Sequence, residues 1–364
     1  MKKIKNIILL ISSLIILELI SQLVISYYGQ KSYSFLFKPF SNYFEKYTQN
    51  YKIEWDYSKN KMKPGTYFTD KKIKYTINSK GFRGKEFNIK KDGVRIIAFG
   101  GSTTIGLESS DQETYPSQLE ILLNKKNKEN YEVLNMGFGS KSLNYIRDLF
   151  FSEAYKYEPD IIIIYSNRNS LIYDGGKIDP TFEGNKIIKV NYFLQQNVMT
   201  YKLLFKIYKK ILNLSIQSNF FATPFGGSGI SEKYLIEGYK NSLIEIVKFA
   251  KDKNIKVILV KQAYYFEPNI ILELNNYSIR NLLEEYKNNT FKDKYKLNDE
   301  INFWSVMGTV LNKNIDELKN FNNVVIVDPV KDLVNSGDNF TDYLHLTPKG
   351  NQILASNIYK KIQD

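Results

Sequence analysis

Five short apolar runs, separated by stretches of helical periodicity, constrain the fold of this 364-residue chain more than any other feature. Each run has the length of a buried strand. The candidate strands are residues 95–99, 132–135, 160–165, 255–260 and 324–327, and the candidate helices are residues 116–123, 144–157, 232–252 and 349–361. Strands that alternate with helices form a parallel sheet with helices on both faces. We therefore predict an α/β fold, a three-layer α/β/α sandwich around a central five-stranded parallel sheet.

A serine follows the first candidate strand at a sharp turn. The run that begins at Arg95 ends at Gly100 and Gly101, and Ser102 comes next. Ligands of open α/β folds bind at the carboxyl ends of the strands, so this turn would present the hydroxyl of Ser102 where a substrate can reach it. Taken alone, a Gly-Gly-Ser sequence after a strand is more often an ordinary turn.

The single histidine of the chain, His345, stands three residues after Asp342. A general base that works near neutral pH with an unperturbed side chain can only be this histidine. An Asp-x-x-His element lets the aspartate fix the imidazole tautomer while the other ring nitrogen faces a serine. A lone histidine near a terminus is usually a surface or packing residue, but paired with Ser102 it indicates nucleophilic catalysis.

Further blocks surround these residues in a fixed order. Residues 77–84 read Ile-Asn-Ser-Lys-Gly-Phe-Arg-Gly, residues 99–106 read Phe-Gly-Gly-Ser-Thr-Thr-Ile-Gly, residues 133–142 read Val-Leu-Asn-Met-Gly-Phe-Gly-Ser-Lys-Ser, and residues 159–170 end in Tyr-Ser-Asn-Arg-Asn-Ser. With the late Asp-x-x-His, they resemble the SGNH/GDSL hydrolase superfamily, in a variant with Gly-Gly-Ser-Thr in place of Gly-Asp-Ser-Leu. The first block is similar to a leader found in membrane-associated members. The Gly-x-Ser-x-Gly elbow of α/β-hydrolases is absent around Ser102.

The resemblance implies the flavodoxin-like SGNH fold and a serine esterase site. Ser102 would be the nucleophile, His345 the general base, and Asp342 the group that orients the imidazole.

The resemblance also implies an oxyanion hole. Its donors would be the N–H groups of Ser102 and of Gly139 or Ser140, together with the side-chain amide of Asn169. Ser140 stands where relatives carry the oxyanion glycine, and Asn167 and Ser170 replace the usual flanking glycine and aspartate.

The amino terminus has the pattern of a membrane anchor. Three lysines precede residues 7–25, which contain fourteen Ile, Leu or Val residues and one charge, Glu18. Insertion would gain roughly 7 kcal/mol, against a cost on the order of 3 for the glutamate. Basic residues before the span and tyrosines after it predict a single-pass protein of the bacterial cell membrane with its catalytic domain outside. A cleaved signal peptide is the alternative, in which case the protein is secreted.

Composition excludes several classes of site. The chain has no cysteine, so disulfides and thiolate metal sites are impossible, and one histidine rules out a histidine cluster. We expect neither a metal nor a cofactor. The net charge of +13 comes from scattered lysines without a recognition motif, which predicts proximity to an anionic membrane and no nucleic-acid partner.

We predict three regions along the chain. Residues 1–28 are the anchor or signal segment, residues 29–90 an aromatic, lysine-rich approach segment, and residues 91–364 the hydrolase-like domain. Insertions at about residues 171–230 and 264–320 would shape access to the site. Within the first insertion, residues 201–212 are a candidate basic amphipathic helix, which we expect to pack on the core, with the membrane surface as the alternative. Residues 225–229 would be a flexible glycine-rich joint.

The predicted function is that of an extracytoplasmic serine esterase that hydrolyses O-acyl esters, foremost O-acetyl groups, on a cell-surface glycan or related small molecule. An O-acetyltransferase that uses the same site is the close alternative. A catalytically inactive relative that binds a surface polymer is the third.

Overall fold

The computed structural model describes residues 2–27, 55–56, 61–68, 73–126, 129–173, 234–267, 278–288, 290–296 and 300–363, with isolated residues or pairs at 198, 200–201, 203–204, 220–221, 230–231, 270 and 273–274. The chain divides into two compact units. One unit comprises residues 1–52 and 179–218, and the other comprises residues 53–178 and 219–364.

The strands are, in chain order, β1 (Trp55–Asp56), β2 (Lys61–Met62), β3 (Gly65–Phe68), β4 (Lys74–Ile77), β5 (Val94–Gly100), β6 (Tyr131–Gly137), β7 (Ile161–Tyr165), β8 (Phe220–Phe221), β9 (Ile230–Ser231), β10 (Lys256–Val260) and β11 (Val324–Val327). The α-helices are α1 (Lys2–Tyr27), α2 (Ser102–Ile105), α3 (Tyr115–Lys126), α4 (Leu143–Ser152), α5 (Arg168–Tyr173), α6 (Tyr239–Asp252), α7 (Ile279–Lys287), α8 (Thr290–Lys294), α9 (Glu300–Leu311), α10 (Lys313–Asp316), α11 (Val330–Val334) and α12 (Pro348–Gln363).

In the first unit, α1 buries its polar side chains and exposes its apolar ones. Glu18, Ser21 and Gln22 are buried, whereas Leu14, Ile20 and other large apolar residues of the helix are exposed. Thr200 makes two contacts with this polar side. Its N–H donates to the Glu18 carboxylate at 2.9 Å, and its hydroxyl donates to Ser21 Oγ at 3.2 Å.

Within the described ranges, no helix is both long and apolar enough to cross a membrane. Of the helix predicted at residues 201–212, only residues 201, 203 and 204 are described, and these are helical. The glycine-rich segment at residues 225–229 lies outside the described residues.

The second unit is built around a five-stranded sheet with the strand order β11-β10-β7-β5-β6. All four strand pairs in it are parallel. Side chains of β5 and β7 such as Ile97 and Ile163 are fully buried, as expected of parallel strands that are covered on both faces. The five predicted strands are confirmed, with bounds that agree to within two residues.

The helices form the two outer layers. α3 packs against α12, and α4 packs against α6. The chain crosses from β5 to β6 in one direction along the sheet and from β6 through β7 to β10 in the other. Because such crossovers are right-handed, this reversal places α3 and α4 on opposite faces. The predicted α/β fold with a five-stranded parallel central sheet is confirmed.

The strand order positions a site between β5 and β7. The chain leaves these neighbouring strands in opposite directions, and the crevice outside their carboxyl ends is where open sheets of this order bind ligands. Residues 101–102 follow β5 and residues 166–169 follow β7. The insertion at residues 264–320 contains α7, α8, α9 and α10, whereas most of the insertion at residues 171–230 lies outside the described residues.

Candidate active site

The turn after β5 brings Ser102 to the carboxyl edge of the sheet. Ser102 begins α2, and the N–H groups of Thr104 and Ile105 both donate to the carbonyl of Gly101 at 3.1 Å. A Cβ atom at position 100 would lie 2.0 Å from Thr104 Oγ1, and one at position 101 would lie 2.5 Å from the side-chain nitrogen of Asn169. The two glycines are therefore required by close approach of the site's own side chains.

A buried arginine holds the far end of α2. The guanidinium of Arg83 donates to the carbonyls of Ile105, Gly106 and Ser109 and to the carboxylate of Asp111. The side chain is 1% exposed. Arg83 belongs to the block at residues 77–84, for which the sequence alone indicated no structural role. In the structure this arginine fixes the helix that begins at Ser102.

The predicted catalytic side chains form one hydrogen-bonded chain. His345 Nε2 lies 2.8 Å from Ser102 Oγ, and His345 Nδ1 lies 2.7 Å from Asp342 Oδ2. The other carboxylate oxygen, Asp342 Oδ1, accepts the backbone N–H groups of Leu344 and His345, both at 2.7 Å. Burial by itself would raise the pKa of Asp342, but the hydrogen bonds from His345 and Leu344 lower it to about 2. The carboxylate is therefore ionised at any pH where an imidazole can act as a base.

Backbone hydrogen bonds fix the loop that carries His345. The N–H of Thr341 donates to the carbonyl of His345 at 2.8 Å, and the N–H of Tyr265 donates to the carbonyl of Tyr343 at 2.8 Å. The α12 helix begins at Pro348, immediately after the loop. The loop is thus closed on itself and tied to the segment that follows β10.

The cleft that contains Ser102 is small, with a volume of about 10 Å³. This is roughly the space of one water molecule. Its lining residues are Gly101, Ser102, Thr103, Ser166, Asn167, Arg168, Asn169, Gln262 and Leu344. In the part of the chain that the structure describes, no group of three or more Asp, Glu or His side chains is placed to hold a metal ion.

Asn169 lies in the cleft wall, and its neighbours hold it there. The Oδ1 atom of Asn167 accepts the hydroxyl of Tyr264 at 2.7 Å. The hydroxyl oxygen of Ser170 accepts the N–H of Leu143 at 2.9 Å. Asn167 and Ser170 are therefore fixed on both sides of Asn169, and its amide nitrogen faces the turn before Ser102.

Gly139 and Ser140 lie in the turn after β6, beside the nucleophile turn. The N–H of Phe138 donates to the carbonyl of Gly100 at 3.0 Å, which joins the two turns. Ser140 has a φ of 61°, in the left-handed region that favours glycine. The φ of Gly139 lies outside that region. The backbone at position 140 is thus the one that adopts a glycine-like conformation. Neither residue lines the cleft.

The structure brings Ser102, Asp342, His345 and Asn169 together and places Gly139 and Ser140 in the adjoining turn. Their catalytic roles stay predictions.

Three polar residues of the cleft wall were missed by the sequence reasoning. Ser166 and Gln262 are each 3% exposed. Among the described residues, Ser166 Oγ, Gln262 Nε2 and Arg168 Nε have no hydrogen-bond partner. Their position in the sequence could have identified them, because Ser166 and Arg168 follow β7 and Gln262 follows β10, at the edge of the sheet where Ser102 lies.

Comparison with known proteins gives structural neighbours only. No protein-family model matches the chain, and no curated protein matches it significantly. It is similar to the structure of a putative lipolytic protein of the G-D-S-L family from Desulfitobacterium hafniense (TM-score 0.41, 11% identity, 73% of this chain and 98% of that one). It is also similar to a GDSL-like lipase from Bacteroides thetaiotaomicron (0.40, 13%, 74% and 87%) and a variant of an acetyl xylan esterase from Geobacillus stearothermophilus (0.41, 14%, 76% and 97%).

The names of these neighbours include the group that the sequence blocks resemble. Identities and TM-scores this low are no basis for assigning an activity to this chain.

Proposed function

We propose that this protein is a serine esterase. The observation that carries the proposal is the continuous hydrogen-bonded chain from Ser102 Oγ through the imidazole of His345 to the ionised carboxylate of Asp342, with distances of 2.8 and 2.7 Å. A serine hydroxyl is a weak nucleophile until an adjacent base accepts its proton. This arrangement supplies the base and holds it in the required tautomer.

The reaction proceeds in two halves. Ser102 Oγ attacks the ester carbonyl while its proton passes to His345 Nε2, and Asp342 stabilises the imidazolium that forms. The resulting oxyanion accepts hydrogen bonds from the Asn169 amide and from backbone N–H groups of the two adjoining turns. The alcohol leaves with the proton from His345, and an acyl group remains on Ser102. Water then attacks the acyl-enzyme with His345 again as the base, which releases the acid and restores the serine.

Within this activity, the substrate we propose is a short acyl ester, with acetyl on a surface glycan as the leading case. Two aromatic rings, those of Trp304 and Tyr343, lie beside the cleft residue Arg168, and such rings can pack against sugar faces.

The proposed location is the outer side of a bacterial membrane, where the amino-terminal segment would hold the chain. The exposed apolar side chains of α1 support a contact with lipid, and the Glu18 carboxylate, the one acidic group of the helix, accepts the N–H of Thr200. Partition of the full chain into the membrane fraction, retained after an alkaline wash and lost on deletion of residues 2–27, is the expected result. Recovery of the full chain in the soluble fraction would contradict it.

The first test of the activity is hydrolysis of p-nitrophenyl acetate by the detergent-solubilised full chain. We expect Ser102→Ala to lower the rate by about 10⁴-fold or more, because the covalent step is lost. The matched control is Ser356→Ala, which removes a hydroxyl from α12 that bonds only the carbonyl of Gln352 in its own helix. Equal rates for the Ser102→Ala variant and the wild type would rule out the proposed chemistry.

A second readout separates an esterase from an acyltransferase. Addition of an acceptor oligosaccharide should leave free acetate as the main product if water is the physiological acceptor. If the acetyl group appears mainly on the oligosaccharide, the protein is a transferase with the same acyl-enzyme.

A further inference from the structure

Arg168 stands in the wall of the cleft with no counter-ion among the described residues. Among the residues that the structure describes, Arg168 forms no ion pair, and its buried Nε has no hydrogen-bond partner. The other arginines near the sheet differ in this respect. Arg83 bonds Asp111, and Arg95 bonds Glu132 at 2.7 Å. A guanidinium carries five donors and is charged at every physiological pH, so one left unpaired beside a nucleophile is a candidate for binding substrate.

Two further donors in the same cleft wall also lack a hydrogen-bond partner among the described residues. Ser166 Oγ and Gln262 Nε2 are buried without a partner, and both residues line the cleft with Arg168 and Ser102. Buried polar atoms in native proteins nearly always have a hydrogen-bond partner. Three donor groups around one small cleft that have no partner among the described residues indicate that acceptor atoms of a ligand complete them.

Aromatic rings hold the guanidinium in place. Its central carbon lies 5.8 Å from the ring centroid of Trp304 and 5.5 Å from that of Tyr343. Such contacts orient an arginine without neutralising its charge or occupying its donors. The site is thus arranged in advance to receive negative charge near the reacting ester.

We propose that Arg168, with Gln262 and Ser166, binds an anionic oxygen group of the substrate, so that the preferred ester is an O-acetyl group on an acidic sugar. This inference rests on the proposed esterase function. A carboxylate or a phosphate on the sugar presents the required oxygens, and a planar carboxylate matches the guanidinium fork in a bidentate contact.

The test compares three acetylated substrates that differ in charge. They are O-acetylated oligogalacturonide, which carries carboxylates, O-acetylated glucose 6-phosphate, which carries a phosphate, and O-acetylated xylo-oligosaccharide, which is neutral. The quantity measured is the ratio of kcat/KM for acetate release from each anionic ester to that from the neutral ester. We expect a ratio of about 10 to 100 for at least one anionic ester, the size of effect that a hydrogen bond to a charged group gives. The better of the two anionic esters identifies the group that is bound.

Variants of Arg168 should change this ratio. Arg168→Gln removes the charge and should bring the ratio to near one, and Arg168→Glu should bring it below one. Arg168→Lys keeps the charge and should retain part of the preference, which also controls for misfolding. Arg147→Gln removes an equal charge from α4, outside the cleft, and should leave the ratio unchanged.

Two outcomes would overturn the inference while the esterase function stands. One is a wild-type ratio near one. The other is an equal loss of rate on anionic and neutral esters in Arg168→Gln, which would assign the arginine to the oxyanion of every substrate.

If Ser102-dependent hydrolysis is absent, the esterase function fails, and binding alone decides the inference. Calorimetry with unacetylated oligogalacturonide and xylo-oligosaccharide should then show a preference for the acidic chain that Arg168→Gln abolishes. An absence of that preference would refute the subsite independently of catalysis.

Discussion

The two halves of the active site are held in place by different means. Ser102 depends on distant parts of the chain, since Arg83 clamps the end of its helix and the side chain of Asn169 lies against Gly101. Asp342 and His345 form a local unit, in which the carboxylate binds the ring and the backbone N–H of the same histidine. A local pair can be recognised in four residues of sequence, whereas the geometry around Ser102 exists only after the sheet and the block at residues 77–84 have assembled.

The largest expected effect comes from removing the charge of Asp342 in the local unit. Asp342→Asn should lower kcat by roughly 10⁴-fold, because an amide favours the wrong imidazole tautomer. Burst and steady-state kinetics with p-nitrophenyl acetate would measure it. Asp338→Asn, in the same loop but 83% exposed at its side chain, is the matched control and should retain full activity.

The same carboxylate predicts a pH dependence of stability. The pKa of Asp342 is about 2 in the folded protein against an ordinary 3.8, so its ionised form favours folding above about pH 4, and this contribution is lost as the pH falls toward 2. Urea denaturation of the wild type should show that loss, and the Asp342→Asn variant should lack it. An identical acid dependence in both proteins would contradict the assigned hydrogen bonds.

A smaller effect is expected at the oxyanion hole, where the two halves meet. Asn169→Ala should lower kcat by about 10²- to 10³-fold with little change in KM, because the amide acts on charge that develops during the reaction. Asn357→Ala, which removes an amide that bonds only the carbonyl of Ile353 in its own helix, is the control. A rise in KM alone would reassign Asn169 to substrate binding.

Substitution of Arg83, which holds the helix of Ser102, should lower the stability of the protein. Arg83→Lys should lower the free energy of unfolding by about 3 kcal/mol, because lysine cannot reproduce the buried fork of donors to Asp111 and the carbonyls beyond α2. Urea denaturation followed by fluorescence would measure it, with Arg147→Lys on α4 as control. If the stability of Arg83→Lys equals that of the wild type, the clamp does not hold the nucleophile helix.

The smallest expected effect comes from relieving the backbone strain at position 140. Ser140→Gly should raise the free energy of unfolding by about 1 kcal/mol, since its φ of 61° disfavours residues that have a side chain. Activity should stay within a few-fold of wild type, because the backbone N–H remains. Gly139→Ala is the useful contrast, since a Cβ there meets open space and its backbone is not left-handed. A destabilised Ser140→Gly would show that the serine side chain makes a contact of its own.

The sequence predicted much of this arrangement because the relevant signals are periodic or local. The five strands are apolar runs, which are almost fully buried in β5, β7 and β10, and Asp342 and His345 stand three residues apart. The flanks of Asn169 were harder to interpret, since their role depends on partners such as Tyr264 that are distant in sequence. The predicted region boundaries at residues 28 and 90 stay predictions, as do the anchor and its location.

What the sequence determined by itself is the α/β architecture, the identity of the only available imidazole base and the order of the blocks around it. Hydrophobic periodicity and residue chemistry are properties of the chain at short range, and they are retained in any fold it adopts. The tertiary structure alone decided that Arg83 holds the nucleophile helix and that Ser166, Arg168 and Gln262 face one cleft with Ser102. These roles arise from contacts between residues far apart in sequence, which form only when β5, β7 and β10 meet in a single sheet.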